Sequence, residues 1–405
     1  MATFLFLRLA LMCVMRLKMI IVISLLVLSV TIFSRCFRQD ALAADPRGSL
    51  YADASTCITC HKDIADSSMH AAHYRTSSLA NTDSLKRLIN PSMADFYFGD
   101  SSYIRLRRNE STFQQTHFTG NQQLNTQTFD IAFGSGEKAQ TYAYWNGDKL
   151  YELPLTYFTG INGWANSPGF PSGHPRFDRI IESRCFQCHA SYIEREITQT
   201  GSLNVEEKLN KNTVLFGIDC QRCHGPAKEH VDFHTDNPSE KKAMHITAIS
   251  SLSRQRQLDL CGTCHSGNDQ APQRNLFGFK PGDTLSNYYY PEFGSTREPD
   301  VHGKQLQLLQ SSQCFQQSTM TCSTCHNSHG SGNGQLQAFI TKCMNCHQQS
   351  THATTMLNNK TMTLNCIDCH MPKQPSKDIY FNNGAERKII PYLLTTHKIG
   401  VYGQK

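Results

Sequence analysis

Apolar residues are scarce for a chain of this length. Hydrophobic types make up 39% of 405 residues and mean hydropathy is −0.43, thin material for the cores of the two or three domains the length allows. Long apolar runs are missing beyond residue 33. The one present, Met19–Phe33, is a 15-residue stretch behind a basic start, enough for an export signal and short for a full membrane span. Also missing is any Cys-x-x-Cys pair without a histidine directly behind it, and no such frame ends in lysine.

What is present is one frame, repeated. Cys57-Cys60-His61, Cys185-Cys188-His189, Cys220-Cys223-His224, Cys261-Cys264-His265, Cys322-Cys325-His326, Cys343-Cys346-His347 and Cys366-Cys369-His370 use 14 of the 17 cysteines. A zinc centre takes four ligands and has no use for a histidine behind every pair. Iron–sulfur clusters want denser cysteine runs, and a thioredoxin-like site uses one pair. Cys-x-x-Cys-His is the attachment frame of c-type haem: two thioether anchors, then an imidazole for the iron. The expected cofactors are seven covalently attached c-type haems, which also explain the low apolar content, because each porphyrin brings its own apolar faces.

The formal charge of +6 falls to about +2 without the leader, since five basic residues (Arg8, Arg16, Lys18, Arg35, Arg38) and one acid (Asp40) lie in residues 1–43. Seven oxidised haems, each with two propionates, contribute about −7. A mildly acidic holoprotein excludes a nucleic-acid partner. "ALA" at 41–43 offers a cleavage point after Ala43. A retained membrane anchor stays open as an alternative, and Cys36 behind Arg35 is a poor lipidation match. Haem attachment outside the cytoplasm places the protein in the periplasm or on the outer cell surface.

Frame one stands 124 residues ahead of frame two, and the later frames follow at steps of 35, 41, 61, 21 and 23 residues. The expected organisation is a signal peptide or anchor at 1–43, a single-haem segment at 44–90, a haem-free β-rich insertion at 91–170 and a six-haem block at 171–405. The expected fold class is a multihaem cytochrome c, mostly short α-helices and loops wrapped on a haem stack, with a small β-rich insertion. In the insertion, residues 139–158 alternate aromatic and branched residues around Asn146-Gly147, a hairpin signal. In the block, 191–212 and 302–317 read as its best helices, and 389–402 as a strand or a tail folding back.

Eleven histidines lie outside the frames: His70, His73, His117, His174, His230, His234, His245, His302, His329, His352 and His397. A second imidazole closes an iron for electron transfer; an open position allows chemistry. "CITCHKDIADSSMHAAH" (57–73) resembles the N-terminal haem motif of nitrifier tetrahaem cytochromes c, and "CQRCHGPAKEH" (220–230) resembles their Cys-x-x-Cys-His-Gly-Pro motif. "CIDCHMPK" (366–373) with the late His397 is similar to the last haem region of pentahaem nitrite reductases. These families share a superfamily with hydroxylamine oxidoreductase, and the insertion is similar to multihaem cytochromes found beside tetratricopeptide repeats. The resemblance implies distal iron ligands at His70, His230, His302, His329 and His397. His352 is the sixth choice, and the seventh is open among His73, His117, His174, His234 and His245. The Tyr-rich "NYYYPEF" (287–293) reads as aromatic packing, methionine ligation as a minority case, and Cys314 as a free thiol.

The expected function is electron transfer through closely packed bis-histidine haems, with redox-protein donor and acceptor as partners. Two alternatives stay open: a reductase or oxidase of a small nitrogen or sulfur compound at one open haem, and a subunit of an extracellular cytochrome assembly.

Overall fold

The computed structural model describes Met19, Ile21 and residues 45–80, 95–99, 101–109, 112–171, 173–202, 204–267, 270, 272–290, 298–331, 336–347, 365–383 and 388–402. The chain divides into two units, Met1–Ser49 and Leu50–Lys405. In the first, Asp45 accepts from the Arg47 guanidinium at 2.8 and 3.0 Å. All that follows concerns the second. Among the described residues no helix is long and apolar enough to cross a membrane, and the leader lies largely outside them.

Helices α1 (Ala54–Cys60) and α2 (Lys62–Met69) open the unit. Eleven strands follow: β1 (Ser77–Leu79), β2 (Phe96–Tyr97), β3 (Ser102–Asn109), β4 (Thr112–Thr119), β5 (Gln122–Thr128), β6 (Ile131–Phe133), β7 (Ala139–Asn146), β8 (Lys149–Glu152), β9 (Leu155–Phe158), β10 (Gly163–Asn166) and β11 (Ile180–Ile181). β2 to β5 form one antiparallel meander. The others form a seven-stranded sheet, ordered β1-β6-β7-β8-β11, with β9 beside β7 and β10 beside β9. Gln115, fully buried on β4, joins the two sheets: its amide donates to Leu155 O and accepts from Leu155 N, both at 3.0 Å. The β7–β8 hairpin closes one residue later than the sequence suggests. Asn146 pairs with Lys149, and the two-residue turn is Gly147-Asp148, with Gly147 at φ 66°.

The remaining elements are α3 (Ser183–His189), β12 (Ala190–Gln199), β13 (Val205–Phe216), α4 (Cys220–His224), α5 (Lys228–Asp236), α6 (Arg254–His265), α7 (Gln305–Gln310), α8 (Gln313–Gln316), α9 (Leu336–Met344), α10 (Cys366–His370), β14 (Lys373–Asn383) and β15 (Lys388–Thr395). Here the expectation needs correction. Residues 191–212 are not helical; β12 and β13 form an antiparallel hairpin. Its Glu, Lys and Leu content favours helix in isolation, but Ile193 and Leu209 bury at 1% and 5% exposure among Leu150 and Phe186, and Leu209 N donates to Asp148 O at 2.8 Å. Tertiary burial on one face overrides local propensity. β15 makes 388–395 a strand, one of the two readings the sequence left open, and its antiparallel partner β14 is the second departure. Sheet is therefore not confined to 91–170.

The strand-rich part packs directly on the frames. Phe133 of β6 meets Phe186 of α3 edge-on at 5.2 Å and the His189 ring at 5.8 Å. Frame one is tied in by Gln221 of α4, which accepts from Ala52 N at 2.9 Å and donates to Ala52 O at 2.8 Å.

Candidate haem-binding histidine pairs

Each frame sits on a helical turn, and the reason is local. Residues i, i+3 and i+4 share one face of a turn, so both thiols and the imidazole point the same way. The helices are started by residues just ahead of the frames. Asp53 accepts from Ser55 N, Asp219 from Arg222 N, Ser253 from Arg256 N, and Asn365 from Ile367 N and Asp368 N. Frames five and six make a shorter turn, closed by His326 N to Cys322 O and His347 N to Cys343 O, both at 3.0 Å.

Four frame histidines face a second imidazole. The His61 ring lies 6.2 Å from His230, His224 lies 5.9 Å from His329, His326 lies 6.1 Å from His397, and His265 lies 6.1 Å from His73. An imidazole nitrogen sits about 2.0–2.1 Å from a first-row metal, and the ring centre about 1.1 Å behind it, so two rings across one ion stand roughly 6.3 Å apart. The observed spacings fit one iron between each pair.

The hydrogen bonds agree. His224 Nδ1 donates to Thr247 O at 2.9 Å, His230 Nδ1 to Met244 O at 2.7 Å and His370 Nδ1 to Gly400 O at 2.9 Å. Donation from Nδ1 fixes the tautomer that leaves Nε2 free for a metal. Burial lowers His73, with His265 adding, and takes His397 down to about 4, with His326 and His265 adding. Neutral rings are the metal-binding form.

The other expected residues fall as follows. His302 donates its backbone N–H to Asp300 at 2.8 Å and stands within electrostatic reach of His189. Asp300, buried, also accepts from Ser376 Oγ at 2.9 Å and so fixes this turn against β14. His189 Nδ1 meets Thr76 Oγ1 at 3.0 Å. His352 lies outside the described residues. His70 stands at the C-terminal cap of α2 and is exposed. The chain turns after α2, and the ring brought against a frame histidine is His73. His117 is bonded through Nε2 to Ser102 Oγ at 3.0 Å inside the meander, and with His174 lines an open cavity of about 460 Å³. His234 packs on His230 at 4.6 Å, and His245 lies 3.5 Å from Glu229. Tyr288 packs on Phe279 at 5.1 Å and donates to Asp283 at 2.6 Å, in keeping with an aromatic packing role.

The frames also touch one another. Cys57 lies beside Cys220, Cys188 beside Cys264 and Cys261 beside Cys322. Cys188 Sγ and Cys264 Sγ reach the backbone carbonyls of Thr263 and Gln187 at 3.9 and 3.7 Å. Frame one therefore abuts frame three, and frame four abuts both two and five. Neither Arg222, the spacer residue of frame three, nor the buried Glu152 stood out in the sequence. A charged spacer inside a frame was the available signal for the first.

Residues 172–225, which carry frames two and three, match the family model "Cytochrome c554 and c-prime". The chain is 24% identical over 150 residues to the multiheme cytochrome MtrA of Shewanella baltica (strain OS185), covering 33% of this chain and 44% of that protein. It thus spans less than half the length of that curated relative. Among solved structures, the outer cell wall cytochrome OcwA overlays with a TM-score of 0.48 at 15% identity, over 82% of this chain and 79% of that one. The family match and the MtrA relative support a multihaem c-type cytochrome.

Proposed function

We propose that the protein is an exported heptahaem cytochrome c that transfers electrons through bis-histidine haems. The observation that carries this reading is the four imidazole pairs at 5.9–6.2 Å, each built on a frame histidine. The frame cysteines hold the haems. His61 and His230, His224 and His329, His265 and His73, and His326 and His397 would each hold one haem iron between two imidazoles. His302 serves frame two, and His347 and His370 are the proximal residues of frames six and seven. When bound, each haem supplies one iron able to take up one electron, and a bis-histidine iron has no position for substrate. The chain's own part is to keep these sites adjacent and the imidazoles oriented. Contacts between frames give the order one–three and five–four–two, not the order along the chain. The partners are a redox-protein donor and acceptor. The Met19–Phe33 stretch and covalent haem attachment support export to the periplasm or outer surface.

The tests are the cofactor count and the spin state. Intact mass of the mature protein should exceed the polypeptide by seven haems. Electron paramagnetic resonance of the oxidised protein should show low-spin signals only, and carbon monoxide should leave the reduced spectrum unchanged. A high-spin signal with a matching carbon monoxide shift would establish an open haem and the reductase alternative.

A further inference from the structure

Arg222 is a buried cation where three frames meet, and among the described residues it has no counter-ion. It is 9% exposed. Its Nη1 donates to Leu276 O at 2.8 Å and its Nη2 to Gln187 O, the carbonyl of a frame-two residue, at 3.2 Å. The guanidinium carbon lies 5.5 Å from the centre of the Phe277 ring. Nε is buried and has no partner. The nearby carboxylate of Asp219 caps α4 through the Arg222 backbone N–H at 2.8 Å, and among the described residues no ion pair forms on the guanidinium. Its charge reaches Cys223 of frame three, Cys188 of frame two and Cys264 of frame four.

A buried charge without a partner is costly, and arginine cannot escape by losing its proton. Two carbonyl acceptors solvate part of the guanidinium but leave its charge intact. Reducing a ferric iron adds one negative charge, so a fixed cation in a low-dielectric site favours the reduced state of the irons around it.

Resting on the heptahaem reading, we infer that Arg222 is the residue that makes the junction of frames two, three and four the electron-holding point of the protein, by raising the reduction potentials there. It is a positioning residue acting through its field and touches no substrate.

The test is a potentiometric titration of the full haem-loaded protein followed by haem absorbance. In Arg222→Gln part of the reduction curve should move to lower potential by at least a tenfold change in equilibrium constant, about 59 mV for a one-electron couple, while the rest superposes. Arg222→Lys, which keeps the charge, should move it less. If Arg222→Gln fails to mature, Asn275→Asp decides the matter. Asn275 accepts from Phe277 N at 3.0 Å and from Gln187 Nε2 at 3.2 Å, so aspartate preserves both bonds while adding a negative charge beside Leu276. It should lower the same component. A curve that superposes on the unaltered protein in either variant, with the haem count unchanged, overturns the inference and means that a propionate already neutralises the guanidinium. A haem count below seven in the unaltered protein instead sinks the reading on which the inference rests.

Discussion

Glu152 ends β8 with its carboxyl buried, 3.3 Å from the Arg179 guanidinium. Burial raises it to about 7, from the ordinary value of 4.5, against the opposing pull of Arg179. Between those values the folded chain holds a proton that the unfolded chain has released, so stability must fall as pH rises through that window. Glu152→Gln removes the titration. Its stability relative to the unaltered protein, read from thermal unfolding, should rise between pH 4.5 and 7.5 by on the order of 3 kcal/mol at most; a pH-independent difference would contradict this. The same scale separates two histidines three residues apart. His73→Ala should convert one low-spin signal to high-spin, because His265 loses the ring facing it. His70→Ala, at an exposed cap, should leave the spectrum unchanged. The resemblance of residues 57–73 implied a ligand at His70; the turn after α2 that brings His73 against His265 is a tertiary feature that no local pattern announces.

At the scale of elements, the segment carrying His73 is held by backbone it passes closely. Ile218 N donates to His73 O at 2.9 Å, and Gly217 N to Ser77 Oγ at 3.0 Å. Gly217 has φ 66°, and a Cβ there would collide with the Tyr74 carbonyl. Gly217→Ala should therefore cost more than the ordinary ~1 kcal/mol of a strained turn, and the displaced 73–77 segment should add a high-spin signal even though no iron ligand was altered. A stable variant with an unchanged spectrum would show that the contact yields freely. The 139–158 stretch announced its hairpin because aromatic and branched residues alternate along β7 and β8, where Tyr142, Tyr144 and Leu150 are buried. The β12–β13 hairpin did not announce itself, because polar strand residues such as Glu194, Glu196 and Glu206 suit a helix equally well.

On the scale of the whole molecule, 124 residues separate frame one from frame two in sequence, yet frame one packs on frame three. Gln221, 3% exposed, closes that contact with three hydrogen bonds, the third accepted from Ala227 N at 3.1 Å. Gln221→Ala leaves the Ala52 amide and carbonyl unpaired in a buried place, a cost of roughly 2–4 kcal/mol. The loss should appear as faster proteolysis near residue 52 while the cofactor count stays the same. Equal proteolysis rates would show that other contacts hold the N-terminal frame.

What the residues determined by themselves was the attachment chemistry. Two thiols and an imidazole on one helical turn are a local arrangement, so seven frames could be recognised without knowing where any of them lies. The order of the frames in space, the meeting of His73 with His265, and the meeting of His326 with His397 from a strand end were decided only by the tertiary structure. A distal imidazole arrives from a distant part of the chain, and its distance along the sequence carries no information about which iron it will face. The uncompensated charge of Arg222 is of the same kind. Its identity is written in frame three, but its burial, among the described residues without a carboxylate, follows from packing against Gln187, Leu276 and Phe277, residues that only the fold brings together.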